Sequence, residues 1–272
     1  MTPQELVHEV GALFSLPEVA LRLNERLRDP EVSPGELAHI IQLDPGLAAA
    51  VLRLANSAYY GLATKVGSIP RAVTLIGLRG LHALSLSVCV TRSFKGLPPE
   101  LIDMNAFWQH SVSCAVLARA LALRSGRVEA DLLFLAGLLH AVGRLVFIAR
   151  RPVHYREVLR LGLTGEALAA QERERFGFDH AELGAALLEA WRLPPALVSA
   201  VAWQFRPEDA PAHELEAHLL ALARELASSR QTDAEAARLL RLGLNAANLP
   251  TLRRTALAQV DELVRILRSE PA

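Results

Sequence analysis

Cysteine is nearly absent from this chain of 272 residues, with two in all, Cys89 and Cys114. They lack the CxxC spacing of a redox or metal motif and cannot build a disulfide framework. A reduced, cytoplasmic protein is the expectation. Excess charge is missing too: 29 Lys+Arg balance 29 Asp+Glu, for a formal net charge of zero. That balance argues against a general polyanion binder, so no nucleic-acid partner is expected, although a local basic patch is not excluded. No apolar run reaches the roughly eighteen uninterrupted residues of a membrane span. The richest segment, Leu132–Ala149, is broken by Gly137, His140, Gly143 and Arg144, which reads as a buried core helix rather than a membrane anchor. The start, Met1-Thr2-Pro3-Gln4-Glu5, is polar and acidic, unlike a signal peptide. Blocks of alternating β-branched residues, repeats of fixed period and low-complexity linkers are also missing. So are GxSxG, GxGxxG and phosphate-loop patterns.

What is present is helical. Hydrophobic residues make up 51% of the chain, ample for a real core, and Leu and Ala recur at three- and four-residue spacing. Ser33-Pro34-Gly35-Glu36 combines a capping box with proline at the first helical position. Asp44-Pro45 and Asp179-His180-Ala181-Glu182 mark two further starts. The pattern predicts helices throughout, among them 34–43, 45–56, 70–77, 78–94, 129–140, 141–150, 233–243 and 251–268. Glycine and prolines at Lys95-Gly96-Leu97-Pro98-Pro99 mark a joint. The expected fold is all-α, a multi-helix bundle of two packed lobes.

The most specific string runs Asp44-Pro45-Gly46-Leu47, then Leu52-Arg53-Leu54-Ala55-Asn56-Ser57-Ala58-Tyr59-Tyr60-Gly61, then Ser68-Ile69-Pro70-Arg71-Ala72-Val73-Thr74-Leu75-Ile76-Gly77-Leu78. It strongly resembles the HDOD domain, a bacterial signalling relative of the HD metal-dependent phosphohydrolases. Leu16-Pro17-Glu18-Val19 and Leu193-Pro194-Pro195-Ala196-Leu197-Val198 extend the match to about residues 12–210. The resemblance implies an N-terminal helical lobe over 12–95 and an HD-like lobe over 98–210, with 211–272 completing the bundle. Within the string, Asn56 and Gly61 suit a left-handed helix end, and Tyr59 and Tyr60 can bury rings while their hydroxyls bond across a loop. These residues shape a helix–loop–helix corner on one reading. On the other, Asn56, Ser57, Tyr59, Tyr60, Lys65 and Arg71 line a polar groove that receives a partner.

In the HD-like lobe His110, His140 and His180 match histidine positions of the HD enzymes. Ala141 stands where the aspartate of the central His-Asp pair belongs. Trp203-Gln204-Phe205 replaces a histidine-bearing helix end, and Ala221–Arg224 supplies no acid where the last aspartate should fall. Without carboxylates to neutralise or bridge divalent ions, no catalytic residue, metal or other cofactor is expected, and the three histidines become hydrogen-bonded core residues. Three histidines could still hold zinc, and Cys114, four residues after His110, could add a thiolate from the same helical face. Arg144, one turn beyond His140, could share its face and bind an anion, or pair with an acidic neighbour. The runs Arg150-Arg151 and Arg173-Glu174-Arg175 read as solvent-facing.

The resemblance therefore implies a non-enzymatic regulatory module that acts on other bacterial signalling proteins. The alternatives are a metal-dependent nucleotide phosphohydrolase and a sensor that binds a nucleotide without cleaving it.

Overall fold

Side-chain caps set where the helices begin. Ser33 accepts from the Glu36 amide while Glu36 reaches back to the Ser33 amide, opening α3 (Pro34–Gln42) with the expected box. Asp44 accepts from the Leu47 amide at 2.9 Å and starts α4 (Pro45–Ala55). Asp179 and Glu182 form the box of α11 (His180–Ala190), and Thr2 with Glu5 does the same for α1 (Pro3–Val10).

The computed structural model describes residues 1–11, 14–94, 96–228, 238–239 and 241–268. Every regular element among them is helical. Most of the helix expected over 233–243, and Lys95 of the joint, lie outside the described residues. The described chain divides into two units, and each takes its residues from two separate stretches of sequence.

One unit holds residues 15–95 and 258–272. Here α2 (Glu18–Arg26), α3 and α4 lead into the long α5 (Ile69–Ser93). The helices expected over 70–77 and 78–94 meet at Gly77, whose φ of 83° and ψ of 166° kink α5 in a conformation that suits glycine. His82, 5% exposed, lies 2.5 Å through Nε2 from Asn24 Oδ1, so α5 is tied to α2 inside the core. The helix Val260–Arg268 packs on α4 and α5 through Val260, Leu263, Val264 and Leu267.

The single helix expected over 251–268 is in fact two, Leu249–Leu257 and Val260–Arg268, broken by a turn at Ala258-Gln259. Buried residues at 249, 252, 256, 260, 263 and 267 keep helical spacing across the break, so periodicity cannot see it. Leu249–Leu257 belongs with the other unit.

That other unit holds residues 1–14 and 96–257. Its centre is α6 (Met104–Ser125) packed along α7 (Ala130–Leu139). Gly137 permits the approach: a Cβ there would lie 2.6 Å from Ala115 Cα. After a break at His140-Ala141 the chain enters α8 (Val142–Arg150), which crosses α11 where Gly143 faces the His180 carbonyl and Gly184. Phe147 on α8 stacks with Tyr155 of α9 (Pro152–Leu159), ring centroids 5.1 Å apart, and lies against Phe176 at the end of α10 (Gly165–Phe176). Behind these, α12 (Pro195–Ala202) and α13 (Glu214–Ala227) close the bundle. Trp191 Nε1 donates to the Phe14 carbonyl at 2.9 Å, and Arg150 and Arg151 both reach Glu9, which ties α1 to this unit. The Arg150-Arg151 pair is thus held by the protein rather than left in solvent.

By length and composition Ile69–Ser93 and the run Ala130–Arg150 could each cross a membrane. Yet 67% and 83% of their most apolar windows are buried within the protein itself.

Candidate functional site

In the first unit Asn56 does not adopt the left-handed conformation expected of it; its φ is −88° and its ψ 0°. Only Gly61 is left-handed of the pair, at φ 55°. The Asn56 side chain works instead as a staple. Its amide donates to the carbonyls of Leu52 at 2.8 Å and Val66 at 2.9 Å, while its Oδ1 accepts from the Val66 amide at 2.7 Å. Ser57 is buried and donates to the Leu54 carbonyl at 2.6 Å. Tyr59 and Tyr60 meet edge to face at 5.2 Å. Glu262 accepts from the Ala58 amide at 3.3 Å, so the Val260–Arg268 helix pins the corner from outside. Tyr60 is half-buried, and Lys65 and Arg71 are exposed. Of the six candidate partner-binding residues, then, Asn56 and Ser57 are committed to the corner, and Lys65 and Arg71 present their charges to solvent.

In the second unit α6 and α7 bring His110, Cys114 and His140 together, with one ligand atom from each lying within 4.8 Å of the others. His110 Nε2 is 3.7 Å and His140 Nε2 3.9 Å from Cys114 Sγ. His140 is buried and its Nδ1 donates to the Gly137 carbonyl at 2.7 Å, which leaves Nε2 facing the thiol. The helical spacing of His110 and Cys114 is the sequence signal that holds. His180 stands apart from this group. Its Nδ1 and its backbone amide both bond Glu172, at 2.5 and 2.8 Å, and its ring meets Phe205 edge-on.

Glu172 is a carboxylate that the sequence reading did not place beside a histidine. It is fully buried, accepts from Tyr155 Oη at 2.5 Å and holds His180 by the same carboxyl. Burial alone would raise its pKa. The charge of His180 and the hydrogen bonds from His180 and Tyr155 outweigh that and hold it below the usual carboxylate range. Its neighbour Arg173, expected to face solvent, pairs with the buried Asp179 that caps α11.

Arg144 and Arg224 supply positive charge. The charge of Arg144 acts on His110, a side-chain hydrogen bond joins it to the hydroxyl of Tyr155, and its Nε is buried with no hydrogen-bond partner. Arg224, on α13, is the residue sequence reasoning missed. Its guanidinium sits 4.0 Å from the Phe205 ring centroid and donates to the Gln204 carbonyl at 3.1 Å. Gln204 in turn donates to the His140 carbonyl at 2.8 Å, which links α13 to the α7–α8 break.

Burial sets the protonation states. It drives His110 down to about 4, helped by the charges of Arg224 and Arg144. It holds His140 well below its usual value, with His110 and Arg224 adding to the effect. Cys114 is pushed up to about 12 by burial, against the opposing charge of Arg224, and Arg224 itself falls to about 10, still a cation at neutral pH. The cluster at neutral pH is thus two neutral imidazoles and a thiol flanked by guanidinium.

That donor set does not fit a phosphoester-cleaving centre of hard divalent ions, which needs carboxylate oxygens to neutralise and bridge them. No carboxylate belongs to the convergent group among the described residues, Ala141 offers only a buried methyl, and Arg224 opposes any added positive charge. The softer donors meet part of zinc's preference, but the thiol must then lose its proton in a fully buried place.

Comparison with known proteins agrees with the fold and with the N-terminal string. The HDOD domain model matches residues 13–207. An uncharacterized protein of Treponema pallidum (strain Nichols) is 30% identical over 215 residues, 76% of this chain and 40% of that protein. The chain therefore spans well under half the length of that curated relative. A protein from Shewanella amazonensis SB2B, provisionally named a phosphohydrolase, superposes with a TM-score of 0.81 at 26% identity, covering 96% of this chain and 97% of its own. The MmoQ response regulator of Methylococcus capsulatus str. Bath gives a TM-score of 0.52 at 31% identity, covering 89% and 97%. With the model matched across both units and the corner string intact, the chain belongs to the HDOD domain family.

Proposed function

We propose that this chain is a non-catalytic bacterial signalling module that works by binding another protein, in the cytoplasm, on a scaffold whose metal centre is degenerate. One observation carries the reading: the ligand atoms that converge are those of His110, Cys114 and His140, with no carboxylate in the group among the described residues, where hydrolysis would require carboxylates and metal. The likeness to a response regulator supports a signalling role, and the likeness to a protein provisionally named a phosphohydrolase supports a shared ancestry of scaffold. The corner stapled by Asn56 presents Lys65 and Arg71 as a rigid basic contact for a partner with acidic groups.

With Mg, Mn, Fe or Zn supplied, the purified protein is expected to hydrolyse neither cyclic nor linear phosphoesters. Ala141→Asp is expected to be equally inactive, because one carboxylate leaves Arg224 in place. Metal-dependent turnover that vanishes in His140→Ala overturns the reading. Binding to a signalling protein from the native bacterium should weaken in Lys65→Glu and Arg71→Glu but not in Arg160→Glu. Equal binding by all three would remove the corner as the contact.

A further inference from the structure

The helix Val260–Arg268 lies against both α4 and α5 on one apolar face. Val260, Leu263, Val264 and Leu267 are buried, at the i, i+3, i+4, i+7 spacing of an amphipathic helix laid in a groove. Asp261, Arg265 and Arg268 are exposed. At nine residues it is too short to keep its shape alone, since isolated helices below roughly 12 residues are marginal in water. Its order therefore comes from the seat beneath it. Glu262 accepts from the Ala58 amide at 3.3 Å and Gln259 donates to the Ala58 carbonyl at 3.4 Å, both long for a hydrogen bond. The turn at Ala258-Gln259 separates this helix from Leu249–Leu257, so it can lift away without breaking the helix before it.

The acidic end of the helix meets the corner. Asp261 and Glu262 fill its first turn, and Glu262 reaches Ala58 within the Asn56–Gly61 stretch. Asn56 holds Val66 by two hydrogen bonds, which keeps the neighbouring Lys65 in the same corner. Lys65 and Arg71 are exposed, with no ion pair among the described residues. The chain's own helix thus offers an apolar stripe with acids at one end, and leaves the corner's cations unanswered.

We propose that α4 and α5 form a helix-docking surface, which Val260–Arg268 fills until an amphipathic helix of a partner replaces it. The partner helix carries apolar residues at i, i+3, i+4 and i+7, an acid at i+2, and further acids at its N-terminal end for Lys65 and Arg71. The proposal rests on the reading that the chain works by binding another protein, and it names the kind of segment bound. The short tether at 258–259 holds the native helix at high local concentration. A partner exchanges with it by adding the charge complement that the native helix does not supply.

The test is fluorescence anisotropy with a labelled synthetic peptide of residues 258–272, titrated with the full chain. The wild-type seat is occupied, whereas Leu263→Asp vacates it, so the variant is expected to bind the peptide about tenfold tighter or more. A designed peptide of unrelated sequence, with the stated apolar spacing and an acidic N-terminal extension, should displace the labelled one, and its scrambled version should not. Adding Lys65→Glu and Arg71→Glu to Leu263→Asp should weaken that displacement about threefold or more. Protected amides in α6 and α7 check that the variants are folded. Leu267→Ala, a milder change on the same face, should fall between and decides if Leu263→Asp does not fold. Folded variants that bind no peptide overturn the proposal, as does equal binding by wild type and Leu263→Asp. So does a designed helix that fails where the native peptide binds, which would reserve the seat for the chain itself. Wild-type dimers that are lost in Leu263→Asp would give the seat to a second copy, and overturn it too. None of these failures touches the effect of Lys65→Glu or Arg71→Glu on binding a whole partner protein, so the protein-binding reading stands or falls separately.

Discussion

At the residue scale the chain keeps His82, His110 and His140 neutral by burying them, and this makes it acid-sensitive. Burial lowers His82 from 6.5 to about 4, and it moves His110 and His140 the same way. The unfolded chain therefore takes up protons near pH 6.5 that the folded chain refuses. The contribution of these histidines is constant above that value and falls as pH drops from about 6.5 towards 4, by about 1.4 kcal/mol per unit for each such group. For His82 alone the loss reaches about 3 kcal/mol. Urea unfolding followed from about pH 7.5 to pH 5 is expected to show the decline. His82→Gln, which keeps a donor for Asn24 and removes the titration, should make it shallower. An unchanged slope in that variant means His82 is not the source.

At the scale of elements, the crossing of α8 and α11 admits no side chain. A Cβ at Gly143 would lie 2.0 Å from the His180 carbonyl oxygen and 2.7 Å from the Gly184 amide nitrogen, both backbone atoms that cannot swing aside. Gly143→Ala is expected to cost about 3 kcal/mol or more, a fall in Tm on the order of 10 °C, by forcing the helices apart. Gly67→Ala, with nothing within 4 Å, is the control and should sit near the wild type. Comparable melting of the two variants would deny that the crossing is tight. This contact was invisible in the sequence, where Gly137 and Gly143 read only as interruptions of an apolar run. Helix starts were legible because Ser33, Asp44 and Asp179 act on amides two or three residues away. The pairing of His110 with Cys114 was legible for the same reason, as it lies within one helix. Glu172 and Arg224 were not: their burial depends on partners distant in sequence, and a charged residue read alone defaults to the surface. Nor was the turn at Ala258-Gln259, which interrupts the backbone without interrupting the apolar stripe.

At the scale of the whole molecule, the two units differ in what they ask of the chain's end. Leu263, 1% exposed, anchors the Val260–Arg268 helix on α4 and α5. Leu263→Asp should release that helix and, with it, the Glu262 contact to Ala58. Hydrogen exchange is expected to rise across residues 45–66 while the amides of α6 and α7 stay protected, since these belong to the other unit. Uniform loss of protection in both units would show that they unfold as one. The Val260–Arg268 helix also fixes an order of events during synthesis. Residues 15–95 emerge from the ribosome early, but their last packing partner is translated only after the whole of the other unit. Until then α4 and α5 lack the helix that covers part of their apolar face, so residues 15–95, made before most of the other unit, are completed after it.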